Sequence, residues 1–220
     1  MKNVKAIIFD AYGTLFDVNS AAEKCKDKIG SKWENFSNYW RTTQLEYTWL
    51  RSLMKKHKDF WQVTEDSLDK SIRAFDIDPS MRNELLNLYK ILSTFKEVPD
   101  VLKTLKEKKF KLAILSNGTP SLLGGLVKSN NLDDIFDDLF SIEQAGIYKP
   151  ASKVYDLPTQ KYGLGKNEIA FLSANTWDVS GGGNYGYQSI WLNRKNNIFD
   201  NLDYRPNNEI KNLKELINLI

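Results

Sequence analysis

The feature that most constrains the fold is a repeated pattern, in which a short apolar run ends abruptly at small polar residues. Four runs share this pattern: VKAIIF at 4–9, KLAIL at 111–115, EIAFL at 168–172 and QSIWL at 188–192. Residues 139–142 are a candidate for a short fifth run. Runs of this length and composition are typical of strands that are buried on both faces, as in parallel sheets.

Segments with helical periodicity separate these runs, at residues 99–108, 120–130 and 152–162. Pro99 and Pro120 stand at the start of two of them, where a helix tolerates proline. Strands that alternate with helices form right-handed βαβ units around a parallel sheet. The sequence therefore predicts an α/β fold with a Rossmann-like parallel sheet core.

The stretch between the first two strands differs, because it contains no strand candidate. Helices are predicted there over 31–58, from Thr64 and from Pro79. We predict an inserted helical cap subdomain at 18–94, after the first strand, and a core domain formed by 1–17 and 95–220. Such an insert can cover the carboxyl edge of the sheet, where open α/β folds bind ligands. A loop over 196–208 and a terminal helix over 211–220 complete the predicted core.

Composition narrows the class of function. The 220 residues include 31 basic and 28 acidic side chains, and this small excess does not indicate a nucleic-acid partner. The single cysteine, Cys25, and the single histidine, His57, exclude a disulfide framework and a metal site of clustered Cys or His. No apolar stretch reaches the ~18 residues of a membrane-spanning helix, and Asp10 ends the first run too early for a signal peptide. We expect a cytoplasmic protein with no membrane partner.

Polar side chains follow the ends of the predicted strands. They are Asp10 and Thr14 after the first, Ser116 and Asn117 after the second, and Ser173, Asn175 and Asp178 after the third, with Lys149 before a helix. Because the carboxyl ends of parallel strands meet at one edge, these side chains are expected to converge. Two carboxylates, one ammonium, hydroxyls and amides form a set that suits nucleophilic and acid–base chemistry.

Four motifs at these positions resemble the haloacid dehalogenase superfamily: FDAYGTL at 9–15, LSNG at 115–118, KP at 149–150 and the segment that ends at Asp178. Their order along the chain is strongly specific for that superfamily, and the resemblance covers essentially the whole chain. The helical insert after the first strand is similar to the superfamily's cap.

Residue types at two positions distinguish the branches of the superfamily. Its phosphatases carry a second aspartate two residues after the nucleophile, where this chain has Tyr12. Magnesium takes several carboxylate oxygens, whereas the last motif, SANTWD at 173–178, supplies a single carboxylate. The site instead resembles the L-2-haloacid dehalogenase branch, whose first long cap helix is very similar to WR at 40–41 and QLEYTWLRSL at 44–53. Thr42 stands where that branch commonly has Gln, which leaves the chain-length preference open.

The resemblance implies a covalent mechanism without a metal or another cofactor. Asp10 would displace halide from C2 of the substrate with inversion, and water would hydrolyse the resulting ester. Lys149 would be the counter-ion of Asp10. Asp178, steered by Ser173 and Asn175, would act as the base or positioner for the hydrolytic water.

The resemblance also implies the residues that bind the substrate. Ser116 and Lys149 would hold its carboxylate. Arg41 and Asn117 would stabilise the departing halide. The remaining site residues are hydrogen-bond supports (Thr14 and Tyr155), a wall around the alkyl group (Tyr12, Leu45, Phe60 and Trp177) and one further substrate contact (Ala11).

We therefore expect a metal-independent (S)-2-haloacid dehalogenase, a hydrolase that converts short L-2-haloacids to D-2-hydroxy acids. Its partners would be the haloacid, water and a second copy of the chain, bound through the aromatic-rich cap helix to form a homodimer. Two alternatives stay open at this point. One is a magnesium-dependent phosphatase of the same superfamily, and the other is a non-catalytic protein that binds small acids on this fold.

Residues outside these motifs have simpler interpretations. Cys25 is expected to be a buried apolar residue, His57 a solvated helix end, and residues 181–183 a flexible glycine loop. Trp40 and Trp49, at helical spacing, are expected to belong to the core or to a subunit interface.

Overall fold

The apolar runs of the sequence form neighbouring strands of one sheet. In the computed structural model, which describes residues 1–220, the strands are β1 (Ala6–Phe9), β2 (Lys111–Ser116), β3 (Asp138–Ser141), β4 (Ile169–Ser173), β5 (Gln188–Leu192) and β6 (Asn208–Ile210). All pairings are parallel, and the order is β3-β2-β1-β4-β5-β6. Fully buried β1 lies inside the sheet and brings Asp10 to its carboxyl edge. The predicted parallel α/β core is confirmed.

The chain has ten α-helices. Six of them lie between β1 and β2, and the first five of these form the insert. These inserted helices are α1 (Ser20–Lys24), α2 (Lys26–Ile29), α3 (Trp33–Leu53), α4 (Phe60–Phe75) and α5 (Arg82–Tyr89). The others are α6 (Val98–Glu107), α7 (Pro120–Ser129), α8 (Ser152–Tyr162), α9 (Thr176–Tyr185) and α10 (Leu216–Leu219). The predicted helical insert after the first strand is confirmed, and its boundaries at 18 and 94 stay a prediction. None of these helices combines the length and the apolar character that crossing a membrane requires.

Three element boundaries differ clearly from the sequence prediction. The long cap helix α3 ends at Leu53 instead of residue 58. α4 begins at Phe60 instead of Thr64, because the Asp59 side chain caps it by accepting a hydrogen bond from the Gln62 amide at 2.8 Å. At the end of the chain, residues 208–210 form β6 instead of loop, and the terminal helix is reduced to a 3-10 turn followed by α10. Two of the three residues of β6 are polar, so the strand has no apolar pattern.

The connection between α3 and α4 binds the cap to the core. His57 Nε2 lies 3.0 Å from Glu143 Oε2, and the imidazole packs 5.2 Å from the ring of Tyr148. The Tyr148 hydroxyl donates to the Lys58 carbonyl at 2.6 Å, and its backbone N–H donates to Ser52 Oγ at 3.3 Å. The expectation that His57 is a solvated helix end is wrong, because α3 has already ended and the connection folds back onto the core.

The two segments that join the cap to the core, one before α1 and one after α5, are hydrogen-bonded to each other. The Asp17 N–H donates to the Ser93 carbonyl at 2.8 Å, and the Phe95 N–H donates to the Leu15 carbonyl at 3.1 Å. Backbone hydrogen bonds thus join the outgoing and returning chains. The cap is held to the core both at these linkers and at the connection between α3 and α4.

Residues 181–183 lie within α9, so the expectation of a flexible loop is wrong. A Cβ atom at each glycine would overlap an aromatic side chain: Tyr155 at Gly181, Phe171 at Gly182 and Tyr204 at Gly183. The glycines therefore serve close packing. They let α9 approach the sheet and α8, and this approach places the first turn of α9 beside the carboxyl edge.

We expect Gly182→Ala to lower the free energy of unfolding by about 1–3 kcal/mol, because the new Cβ would overlap the buried Phe171 ring. Gly124→Ala in α7 is the matched control, since a Cβ there has no neighbour within 4 Å. Alanine at that helical position should stabilise the fold by about 0.5–1 kcal/mol. Urea unfolding followed by circular dichroism measures both, and equal stability of the two variants would contradict the packing explanation.

Candidate active site

Lys149 lies between two carboxylates at the carboxyl edge of the sheet. Its Nζ is 3.2 Å from Asp10 Oδ1 and 2.9 Å from Asp178 Oδ2. The side chains of Lys149 and Asp178 are 0% exposed and that of Asp10 is 7% exposed. Buried charges are tolerated when they are paired and hydrogen-bonded, and this ion triad has a net charge of about −1 when all three groups are ionised.

The two oxygens of Asp10 have different surroundings. Oδ2 accepts hydrogen bonds from Thr14 Oγ1 at 2.9 Å, Asn175 Nδ2 at 2.9 Å and Ser173 Oγ at 3.4 Å. Oδ1 has the Lys149 ammonium as its partner. The carboxylate is therefore fixed through one oxygen, and the other keeps a lone pair for chemistry.

Asp178, in the first turn of α9, is tied to Tyr155 of α8. Its Oδ1 accepts a hydrogen bond from the Tyr155 hydroxyl at 2.7 Å, while Oδ2 accepts from Lys149. Burial raises the pKa of Asp178 to about 6; attraction by Lys149 opposes the shift and the charge of Asp10 adds to it. A carboxylate with this pKa is suited to exchanging protons near neutral pH.

Arg41 reaches the site from α3 of the cap. Its Nη2 lies 3.4 Å from the Tyr12 carbonyl, which also accepts a hydrogen bond from Asn175 Nδ2 at 3.3 Å. Its Nη1 donates to Gln44 Oε1 at 2.8 Å. The Tyr12 carbonyl thus contacts both Arg41 of the cap and Asn175 of the core. Thr42, the next residue on α3, is exposed.

The residues after β2 contact the loop that carries Lys149. Asn117 Oδ1 accepts a hydrogen bond from the Lys149 backbone N–H at 3.1 Å. Ser116 is fully buried, and its Oγ accepts from the Gly118 N–H at 3.1 Å. Ala11 is also fully buried, directly after Asp10. The structure therefore brings these predicted site residues to the same edge as the ion triad.

The predicted alkyl-binding wall is divided into two groups. Tyr12 and Phe60 are buried, with ring centroids 5.1 Å apart. Trp177 is half-buried and packs edge-on against Trp49 of α3, with centroids 5.4 Å apart. Leu45 is half-buried on α3. The aromatic members of the predicted wall thus belong to two separate ring contacts.

A mostly apolar cleft of about 460 Å³ leads to the Lys149 loop. It is lined by Trp49, Ser52, Leu53, Tyr148 and Trp177, together with the loop at 147–151. Trp49 and Tyr148 were not predicted as part of the site. Gln44 and Tyr89, which contact each other beside Arg41, were also missed. The available signal for Gln44 was its position, one helical turn after Arg41 within the matched cap motif.

The donor set does not suit a divalent cation. No group of three or more His, Cys, Asp or Glu side chains is arranged to hold a metal. The Lys149 ammonium already lies within 3.2 Å of both carboxylates. A metal would need several oxygen ligands in that space, and a buried cation there would repel it.

Comparisons with known proteins agree with this architecture. A family model described as haloacid dehalogenase-like hydrolase matches residues 4–186, and the chain belongs to this family of hydrolases. The (S)-2-haloacid dehalogenase of Pseudomonas sp. strain YL is 41% identical to it, over 100% of this chain and 95% of that protein. Haloacetate dehalogenase H-2 of Moraxella sp. strain B is 36% identical, over 100% of this chain and 99% of that protein.

A solved structure extends the likeness to the backbone. The L-2-haloacid dehalogenase of Xanthobacter autotrophicus, with chloropropionic acid covalently bound, superposes with a TM-score of 0.91. It is 30% identical, and the match covers 98% of each chain. Within the family, this chain is therefore similar to haloacid dehalogenases over its whole length.

We expect Tyr155→Phe to raise the pKa of Asp178 above 6. The Tyr155 hydroxyl donates to the ionised form of Asp178, so its removal favours the protonated form. Carbon-13 NMR titration of the aspartate carboxyl groups measures the shift. Tyr185→Phe is the control, because that hydroxyl contacts Asp156 instead. An unchanged Asp178 titration in Tyr155→Phe would mean that the hydrogen bond has no part in setting this pKa.

Proposed function

We propose that this chain hydrolyses short L-2-haloacids to D-2-hydroxy acids and halide, with Asp10 as the covalent nucleophile. The observation that carries the proposal is the buried contact of Lys149 with both Asp10 and Asp178. It supports the proposal because a nucleophilic carboxylate and a basic carboxylate would both need a counter-ion at this edge. Relatives that are named (S)-2-haloacid dehalogenases, and the covalently bound chloropropionic acid in the Xanthobacter protein, support the same reaction.

The first step uses Asp10 Oδ1. Its lone pair forms a bond to C2 while the bond from C2 to the halogen breaks, and the halide leaves with the bonding electron pair. The configuration at C2 inverts because the two events occur on opposite faces. Low exposure and three hydrogen bonds to Oδ2 support this role, because they desolvate and orient an otherwise weak nucleophile.

The substrate binds between the cap and the core in this proposal. Ser116 and Lys149 hold its carboxylate, and Arg41 with the Asn117 amide faces the halogen. Arg41 suits that role because a guanidinium presents several N–H donors in one plane and stays charged. Tyr12, Phe60, Leu45 and Trp177 surround the alkyl group.

The second step is hydrolysis of the ester at the carboxyl carbon of Asp10. Asp178 takes a proton from water as the water oxygen bonds to that carbon. The developing negative charge on Oδ2 faces the donors Thr14, Ser173 and Asn175, an arrangement that stabilises an oxyanion. Cleavage of the bond between the carboxyl carbon and Oδ1 then releases the hydroxy acid, which takes the proton back from Asp178. The second proton of the water remains on the Asp10 carboxyl group and is released to solvent, which restores the carboxylate.

The reaction needs no metal in this proposal, and this separates it from phosphoryl transfer. Lys149 supplies the positive charge between the carboxylates, and Tyr12 replaces the second aspartate of the phosphatases. A protein that only binds small acids would have no use for the complete set of nucleophile, base and two cations. The cytoplasmic location stays a prediction.

We also propose the predicted homodimer, with α3 as its interface. The end of this helix exposes three large apolar side chains, Leu50, Leu53 and Met54, which are 49%, 80% and 59% exposed. Exposed apolar side chains that lie together favour a protein interface.

An oxygen-labelling experiment tests the covalent mechanism. In a single turnover with excess enzyme in heavy-oxygen water, the product hydroxyl should come from Asp10 and stay largely unlabelled. The peptide that contains Asp10 should gain the label. Multiple turnover is the control, since the product should then become labelled. Labelled product in the first turnover would mean that water attacks C2 directly and that Asp10 acts as a base.

A chelation experiment tests metal independence. Chloride release from L-2-chloropropionate should be unchanged after prolonged treatment with EDTA, because Lys149 supplies the charge at the centre of the site. Turnover of p-nitrophenyl phosphate with added magnesium is the comparison, and none is expected. Loss of chloride release with EDTA, restored by magnesium, would support the phosphatase alternative instead.

A further inference from the structure

Gln44 is a buried polar side chain that the mechanism above does not use. It lies on α3, one turn after Arg41, and is 1% exposed. Its Oε1 accepts hydrogen bonds from Arg41 Nη1 at 2.8 Å and from the Tyr89 hydroxyl at 3.3 Å. Its Nε2 lies 2.7 Å from Thr64 Oγ1 and 3.0 Å from the Tyr89 hydroxyl. Every polar atom of the Gln44 amide is thus engaged.

The hydrogen bonds fix which end of the Gln44 amide faces Arg41. The Thr64 hydroxyl donates its one proton to the Phe60 carbonyl at 2.7 Å. Thr64 Oγ1 can then only accept from Gln44, so the amide NH₂ must point toward it. The Gln44 carbonyl oxygen consequently faces the guanidinium, which has donors and no acceptor.

This arrangement orients Arg41 without neutralising it. A long arginine side chain has many rotamers, and a hydrogen bond to a rigid acceptor removes most of them. A carboxylate at position 44 would also hold Arg41, but its charge would cancel the positive charge that a departing halide needs. A neutral amide provides the acceptor and leaves the charge available.

We propose that Gln44 is a positioning residue, which holds the Arg41 guanidinium toward the departing halide. The inference rests on the proposed dehalogenase function. Phe60, Thr64 and Gln44 form a continuous hydrogen-bonded chain from α4 to α3, and Arg41 is its last member. The cap thereby sets the direction of the halide-binding group through its own internal packing.

The experiment compares single-turnover halide release from 2-chloropropionate and 2-bromopropionate. Chloride is the poorer leaving group, so its release depends more on Arg41 than the release of bromide does. The bromide-to-chloride rate ratio therefore reports how well the Arg41 guanidinium is placed. Gln44→Met keeps the length of the side chain and removes its hydrogen bonds. Chloride release should fall by about 10- to 100-fold in this variant, bromide release should fall less, and the ratio should rise. Gln44→Glu should also raise the ratio, since it neutralises Arg41.

Thr48→Val is the matched control for a structural effect. Thr48 is a buried polar residue on the same helix, and its hydroxyl bonds only to the Leu45 carbonyl of α3 itself, at 2.6 Å. The Thr48→Val variant should keep the wild-type bromide-to-chloride ratio even if its melting temperature falls. A rise in the ratio as large as that of Gln44→Met would mean that any cap defect has this effect, and would overturn the proposal.

Thr64→Val provides a second variant if Gln44→Met does not fold. It removes the group that fixes the Gln44 amide, and the ratio should rise by less than in a direct substitution. If the wild-type protein is active and these variants keep its bromide-to-chloride ratio, the positioning role of Gln44 is overturned. The dehalogenase function is then unaffected. A wild-type protein that releases neither halide contradicts the proposed function itself.

Discussion

The contact of Lys149 with Asp10 and Asp178 is the interaction on which the rest of the structure depends. Two carboxylates and an ammonium can be buried together only if their geometry is maintained and their remaining lone pairs and N–H groups are hydrogen-bonded. Removing one partner of such a group typically costs about 3–5 kcal/mol, because an uncompensated charge is left behind. Asn117, Thr14, Asn175 and Tyr155 provide this support, and each comes from a different segment around the sheet edge.

Parallel strand order explains how a chain of this length can bring those segments together. β2 and β4 flank β1, so the residues that follow all three strands share one edge. Sequence reasoning could predict this much, because each strand is an apolar run with a polar end. It could also predict Arg41 from the cap motif. The alternation of strands and helices was thus enough to predict the core fold. The motif residues were enough to predict most of the side chains that meet at the sheet edge.

The remaining features depend on contacts that no local pattern records. The glycines of α9 have the composition of a loop, and only their aromatic neighbours, Tyr155, Phe171 and Tyr204, explain why they form a helix. His57 lies in a basic surface-like segment, and its position depends on Glu143 in the core. β6 forms through its parallel pairing with β5, which no apolar pattern in its own sequence indicates. Gln44 is one polar residue among many on α3, and its environment becomes evident only when Thr64 and Tyr89 pack beside it.

The attachment of the cap at both ends has a consequence for ligand affinity. Separating cap from core at the far side would break the hydrogen bonds of Tyr148 with Lys58 and Ser52 and the contact of His57 with Glu143. Each such bond contributes about 0.5–1.5 kcal/mol, so these contacts favour the arrangement in which cap and core are joined. Apparent affinity falls in proportion to the fraction of protein that is competent to bind. A ligand whose entry requires that separation must supply the free energy to break these contacts, and this requirement lowers its apparent affinity.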